Sequence, residues 1–141
     1  KKYLEIERLI NFKSELTYKN FFDNCENSKK KLVEKINILL NNKKTIASYG
    51  ATSKSTTIFN YCNISSSEIS YITDTTPTKQ NKLSPGTHIP VYDYEFFNKN
   101  LPDVCFLGAW NHKDEIFKKE RKNFNIKGKW ISHLNDLDLS V

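Results

Sequence analysis

Apolar residues in the first 42 positions recur at helical intervals. Tyr18, Phe21, Phe22, Cys25, Leu32, Ile36, Leu39 and Leu40 fall near one face of a single long helix. Tyr3, Leu4, Ile6, Leu9 and Ile10 form a shorter stripe of the same kind, separated from the first by residues 11–14. Neither glycine nor proline interrupts residues 1–42. The pattern predicts a helical arm whose stripe needs a cover. Packing of the arm on the domain that follows is the expected cover, and a seam between subunits is the alternative.

From Lys44 onward the pattern alternates between short β-prone runs and helical spacing. Residues 45–49 predict a strand ending at Gly50, and residues 53–62 a helix with Ile58, Phe59 and Cys62 inward. EISYIT, residues 68–73, predicts a second strand ending at Asp74. TTPTKQNKLSPGTHIP, residues 75–90, is long for a connection without structure of its own, and such loops tend to be functional or disordered. Residues 89–92 predict a short strand and 94–98 a helical turn. DVCFL, residues 103–107, predicts the third main strand, residues 113–123 an amphipathic helix with Ile116 and Phe117 inward, and residues 129–132 a fourth strand. The chain closes on the alternating LDLSV. Strands alternating with helices predict an α/β fold: a Rossmann-like, mostly parallel sheet flanked by helices over residues 43–141, preceded by the arm over 1–42.

Composition adds limits. A 38% hydrophobic fraction with 13% aromatics supplies one core, which excludes global disorder. The formal charge of +6 favours anionic partners without naming one. The lysines are spread along the chain and no nucleic-acid motif is present, so nucleic acid is not an expected partner. Cys25, Cys62 and Cys105 lack the spacing of a zinc site or a disulfide framework and suit small buried side chains in a reducing compartment. No apolar run approaches the roughly 20 residues that span a bilayer. The expected location is cytoplasmic, with no membrane contact.

In an open parallel sheet, ligands settle at the carboxyl ends of the strands. The predicted strand ends place Tyr49, Thr52, Ser53, Lys54, Ser55, Asp74, Trp110, Asn111 and His112 along one rim. The turn in IASYGATSKSTTIFNYC has two readings. Its helix N-terminus, hydroxyls and Lys54 suit an anion, while Thr52 or Ser53 equally suits a helix cap with Lys54 in water. It lacks the glycines of the phosphate-binding loop of nucleoside triphosphatases or of a dinucleotide fingerprint. Asp74 follows Gly50 at close to the interval, about 20 residues, at which a Rossmann unit places a ribose-binding acid. It also suits the start of the turn before Pro77. His88, His112 and His133 lack metal-ligand spacing, so no metal site is expected.

Three phrases extend the reading. YGATSKSTTIFNYCNI, ISYITDTTPTKQNKLSPGTHIPV and PDVCFLGAWNHKDEI, in that order, resemble the C-terminal domain of S-adenosylmethionine-dependent sugar C-methyltransferases, and the likeness covers nearly the whole chain. The resemblance implies a three-part enzyme: a zinc module, a central S-adenosylmethionine-binding domain, and a Rossmann-like C-terminal domain that holds a nucleotide-linked keto-deoxysugar. A base removes the proton beside the ketone, and the resulting enolate attacks the donor's methyl group. Carried over by position, Tyr49, Gly50, Ala51, Thr52, Ser53 and Lys54 match the family's turn. Lys79 and Gln80 match its loop, His88 falls within its Pro-Gly-Thr-His-Ile-Pro run, and Trp110 and Asn111 match its last segment, which His112 follows. Asn81 departs from a family glycine, stiffening the loop, and Ser55 from another, adding a hydroxyl. The expected substrate-binding set is Tyr49, Gly50, Ala51, Thr52, Ser53, Lys54, Asp74, Lys79, His88, Trp110, Asn111 and His112. No catalytic residue is expected in this segment. Zinc and S-adenosylmethionine are expected in upstream domains outside it, as partners of an excised domain or a stand-alone relative. A non-catalytic assembly module, paired through the arm into a homo-oligomer, is the alternative function.

Overall fold

Two of the runs read as strands, one ending at Gly50 and one at Gly108, lie side by side inside the sheet. In the computed structural model, which describes residues 2–126, 128–134 and 139, β1 (Ile46–Tyr49) pairs in parallel with β5 (Val104–Leu107), from Ile46 opposite Val104 to Tyr49 opposite Leu107. All eight of these residues are buried, because helices cover both faces of the sheet. β2 (Ile72–Thr73), β4 (Pro90–Tyr92) and β3 (Lys82–Leu83) continue the sheet beyond β1, and β6 (Lys129–Ile131) extends it beyond β5. The order is β3-β4-β2-β1-β5-β6, and only β3 runs antiparallel.

Strand alternation divides the core in two. Ile46, Ile72, Val104, Phe106 and Ile131 face α2 (Glu15–Asn41) and α3 (Ser53–Cys62), meeting Leu32 and Ile36 from the former and Phe59 and Cys62 from the latter. Ala47, Tyr49, Cys105, Leu107 and Trp130 face the other way, toward Phe97 of α4 (Tyr94–Lys99), Ile116 of α5 (Lys113–Glu120) and Phe124. The α/β, mostly parallel, helix-flanked sheet read from the sequence is the fold observed. Cys62 and Cys105 are buried, Cys25 is half-buried, and all three are free thiols. No helix among the described residues is long and apolar enough to cross a membrane.

The structure departs from the sequence reading in its details. The strand expected over 68–73 shortens to Ile72–Thr73, because Glu68 accepts hydrogen bonds from the Ser65 N–H (2.7 Å) and hydroxyl (3.0 Å) and draws the segment before it into a turn. The long loop is structured. β3 pairs back onto β4, and Ser84 and Thr87 bond hydroxyl to hydroxyl at 2.6 Å across the tip. Asn81 stands in the left-handed region at φ 58°, a conformation that glycine favours and that asparagine tolerates better than most residues. The last predicted helix stops at Glu120 rather than 123. Of LDLSV, only Leu139 falls within the described residues, packed against the Tyr49 side of the core.

α1 (Lys2–Ile10) and α2 form as the spacing indicates, but the cover for their stripe is partial. Leu32 and Ile36 are 3% and 1% exposed, whereas Tyr18, Phe21 and Phe22 are 58%, 69% and 59% exposed. The packing expected of the whole stripe holds only for the second half of α2. Accordingly, Ile36→Ala is expected to lower the unfolding free energy by about 2–5 kcal/mol, through lost burial and the cavity left behind. In the monomer, at protein concentrations too low for association, Phe21→Ala is expected to change it by less than about 0.5 kcal/mol. Urea denaturation followed by circular dichroism measures both, and equal losses would contradict this division of the helix.

Candidate ligand-binding site

Where the parallel strands end, the chain leaves β1 toward one side of the sheet and β5 toward the other. The two exits touch. A Cβ on Gly108 would lie 2.7 Å from the Gly50 carbonyl oxygen, and one on Gly50 would lie 2.7 Å from the Ala109 Cβ. Gly50 also sits at φ 96°, which side chains rarely adopt. The N–H groups of Gly108 and Ala109 both donate to the Tyr49 carbonyl, at 2.9 and 3.1 Å. Beside this contact lies an open cleft of about 370 Å³, bordered by the ends of β1 and β2, the turn after β2, and one face of α5.

The first turn is closed upon itself. Thr52 caps α3: its hydroxyl accepts from the Ser55 N–H at 3.0 Å and donates to the Gly108 carbonyl at 2.9 Å. The Thr52 N–H donates back to the Ser55 hydroxyl at 3.0 Å, completing a reciprocal capping box. Ser55 is fully buried, and its hydroxyl meets the Gly50 carbonyl at 3.0 Å and the Thr52 carbonyl at 2.9 Å. Lys54 does not border the cleft; its ammonium stands 5.8 Å from the centroid of the Trp110 ring.

Asp74 joins this turn to the one after β2. Its Oδ2 accepts from the Ala51 N–H at 2.8 Å and from Lys79 Nζ at 3.2 Å, and its Oδ1 accepts from the Thr76 N–H at 2.8 Å. Burial alone would raise its pKa. The hydrogen bonds from Thr76, the Ala51 N–H and Lys79 outweigh that and hold the carboxyl below its usual value. Asp74 thus builds the turn, as one reading of the sequence has it, and it also borders the cleft. The same carboxylate occupies the Ala51 N–H, so that group is not free for a phosphate on the first turn of α3.

Of the expected residues, Tyr49, Gly50, Thr52, Asp74, Lys79 and His112 come together around the cleft. Ala51, Ser53, Lys54, Trp110 and Asn111 belong to the adjoining turns but do not border it. His88 is at the other end of the sheet. It precedes β4, which runs parallel to β2, so it lies at the amino ends of the strands, on the tip that Asn60 anchors by donating to the Pro85 carbonyl at 3.0 Å. Trp110 Nε1 is buried without a hydrogen-bond partner among the described residues.

Sequence reasoning missed Thr73, Thr75, Thr76, Ala109, Glu115, Ile116 and Lys119, which also border the cleft. It also missed Glu120, a fully buried carboxylate beneath it. Glu120 accepts from the Tyr49 hydroxyl at 2.9 Å and from Asn123 Nδ2 at 3.2 Å. Burial and then the Glu120 charge push the Tyr49 phenol well above its ordinary pKa, so Tyr49 remains a neutral donor turned inward. The helical spacing that places Ile116 on the inner face also places Lys119 and Glu120 beside it, which is the signal that was available. Among the described residues no group of His, Cys, Asp or Glu is arranged to hold a metal ion.

Comparison with known proteins adds to this geometry. The family model for the C-methyltransferase C-terminal domain matches residues 1–134. C-methyltransferase NovU of Streptomyces niveus is 33% identical over 114 residues, covering 81% of this chain and 27% of the relative. The chain therefore spans about a quarter of that relative's length.

A folded-state pKa held below the unfolded one stabilises the protein above the unfolded value, about 3.9 for Asp, and that contribution is lost as pH falls through the folded value. Asp74→Asn is expected to lower the urea midpoint at neutral pH and to flatten its fall into acid. Midpoints measured from neutral pH down to about pH 3 test this. A pH dependence identical to that of the parent would mean that Asp74 is not a tie between the turns.

Proposed function

We propose that this chain, which belongs to the C-methyltransferase C-terminal domain family, is the substrate-holding domain of an S-adenosylmethionine-dependent sugar C-methyltransferase. Its cleft receives a nucleotide-linked keto-deoxysugar. One observation carries this reading: the cleft lies at the carboxyl ends of parallel strands, where β1 and β5 send the chain to opposite sides of the sheet. Open α/β sheets bind ligands at that crevice. Its border suits such a ligand, with a carboxylate and threonine hydroxyls for sugar hydroxyls, lysines for phosphate, and Ala109 and Ile116 for an apolar ring face. The methyl donor, the zinc and the base that forms the enolate belong, in this reading, to the remainder of a longer enzyme. The short span of the chain on its relative supports that division.

Calorimetric titration of the chain with dTDP- and GDP-linked sugars, and with the bare nucleotides, tests the reading. Saturable binding at micromolar to millimolar ligand is expected. A folded chain that binds none of them at millimolar ligand overturns it.

The exposed Tyr18, Phe21 and Phe22 favour a second role for the arm, as a seam between two copies of this chain. Deleting residues 1–42 would not test it cleanly, because Leu32 and Ile36 belong to the core. The double substitution Phe21→Glu, Phe22→Glu leaves that core intact. Light scattering is expected to find a dimer for the parent and a monomer for the variant, and a monomeric parent would refute the seam.

A further inference from the structure

Lys79, His112 and Lys119 are the basic side chains that border the cleft, and their surroundings differ. Lys79 is tied to Asp74 at 3.2 Å, so its charge is already met by a carboxylate. His112 Nδ1 lies 3.8 Å from Glu115, an exposed pair. Lys119 forms no ion pair among the described residues. Its ammonium rests 3.3 Å from the centroid of the Tyr94 ring. That ring is itself held, stacked at 26° on Phe97 with the centroids 5.9 Å apart. A cation over an aromatic face is attracted without being neutralised, and it keeps donors for an anion.

His112, Ile116 and Lys119 follow one another at helical intervals of four and three residues, so they form one stripe along the α5 side of the cleft. The opposite side offers less. The Thr52 and Ser55 hydroxyls and the Ala51 N–H are already engaged, the last by the Asp74 carboxylate, and Lys54 stands outside. Resting on the reading of the cleft as a ligand site, the geometry points to Lys119, assisted by His112, as the seat of the ligand's phosphoryl groups, in place of Lys54 and the first turn of α3. Glu115 opposes such a ligand and competes for His112.

The experiment titrates the full chain at low ionic strength with inorganic pyrophosphate and with dTDP, comparing the parent with Lys119→Ala, Lys119→Arg, Glu115→Gln and Lys54→Ala. Lys119→Ala is expected to weaken both ligands by about tenfold, the size of one lost charge-assisted hydrogen bond. Lys119→Arg is expected to restore most of that loss. Glu115→Gln is expected to tighten both ligands a few-fold, a gain that misfolding does not produce. Undiminished binding by Lys119→Ala, or a loss confined to Lys54→Ala, would place the phosphate on α3 and overturn the assignment. Failure of the parent to bind pyrophosphate overturns it as well. Lys119-dependent binding of pyrophosphate without binding of any nucleotide sugar would uphold the anion seat while removing the nucleotide-sugar reading.

Discussion

The carboxylate of Asp74 is the tie on which the cleft depends. It is nearly buried, and its three hydrogen bonds come from two segments: Ala51 in the turn after β1, and Thr76 and Lys79 in the connection after β2. Backbone N–H groups at such turns need acceptors, and here a side chain of the protein supplies them. The result is a pair of turns held at fixed separation on a sheet whose neighbouring exits are in van der Waals contact at Gly50 and Gly108. A bound ligand meets a formed wall and spends little free energy ordering it.

The same tie redistributes charge. A helix N-terminus with hydroxyls and a lysine has the composition of an anion site, yet α3 presents a satisfied capping box next to a carboxylate. On the opposite wall, Lys119 rests against an aromatic ring instead of an acid. Beneath that wall, Glu120 receives the Tyr49 hydroxyl and so joins the end of β1 to the end of α5. A buried carboxylate without such donors would be costly, so the pair constrains both elements at once. The cleft is thus bounded on one side by backbone closure and on the other by a side-chain network.

The N-terminal arm obeys a different balance. Its second half is part of the core, through Leu32 and Ile36, and cannot be removed without exposing the α3 side of the sheet. Its first half carries aromatic residues with the same helical spacing but no domain surface to meet them. Periodicity records that a face is apolar. It does not record what lies opposite.

The sequence by itself determined most of the secondary elements and the class of fold, though not β3 within the long loop, because apolar spacing is a local signal. Residues 46–49 and 104–107 can only be satisfied by cover on both faces, and strands of that kind alternating with helices require a layered parallel sheet. It also marked the rim, since strand ends are readable from where apolar runs stop at Gly50, Asp74 and Gly108. Only the tertiary structure decided which rim groups remain available. Asp74 meets Ala51, Thr52 meets Gly108, and Tyr49 meets Glu120 across 23, 56 and 71 residues of chain. A hydrogen bond between positions so far apart leaves no periodic trace in the sequence. For that reason the turn around Gly50 could be located from its residues, while the bonds that engage its Ala51 N–H and its Thr52 hydroxyl are made only by the fold.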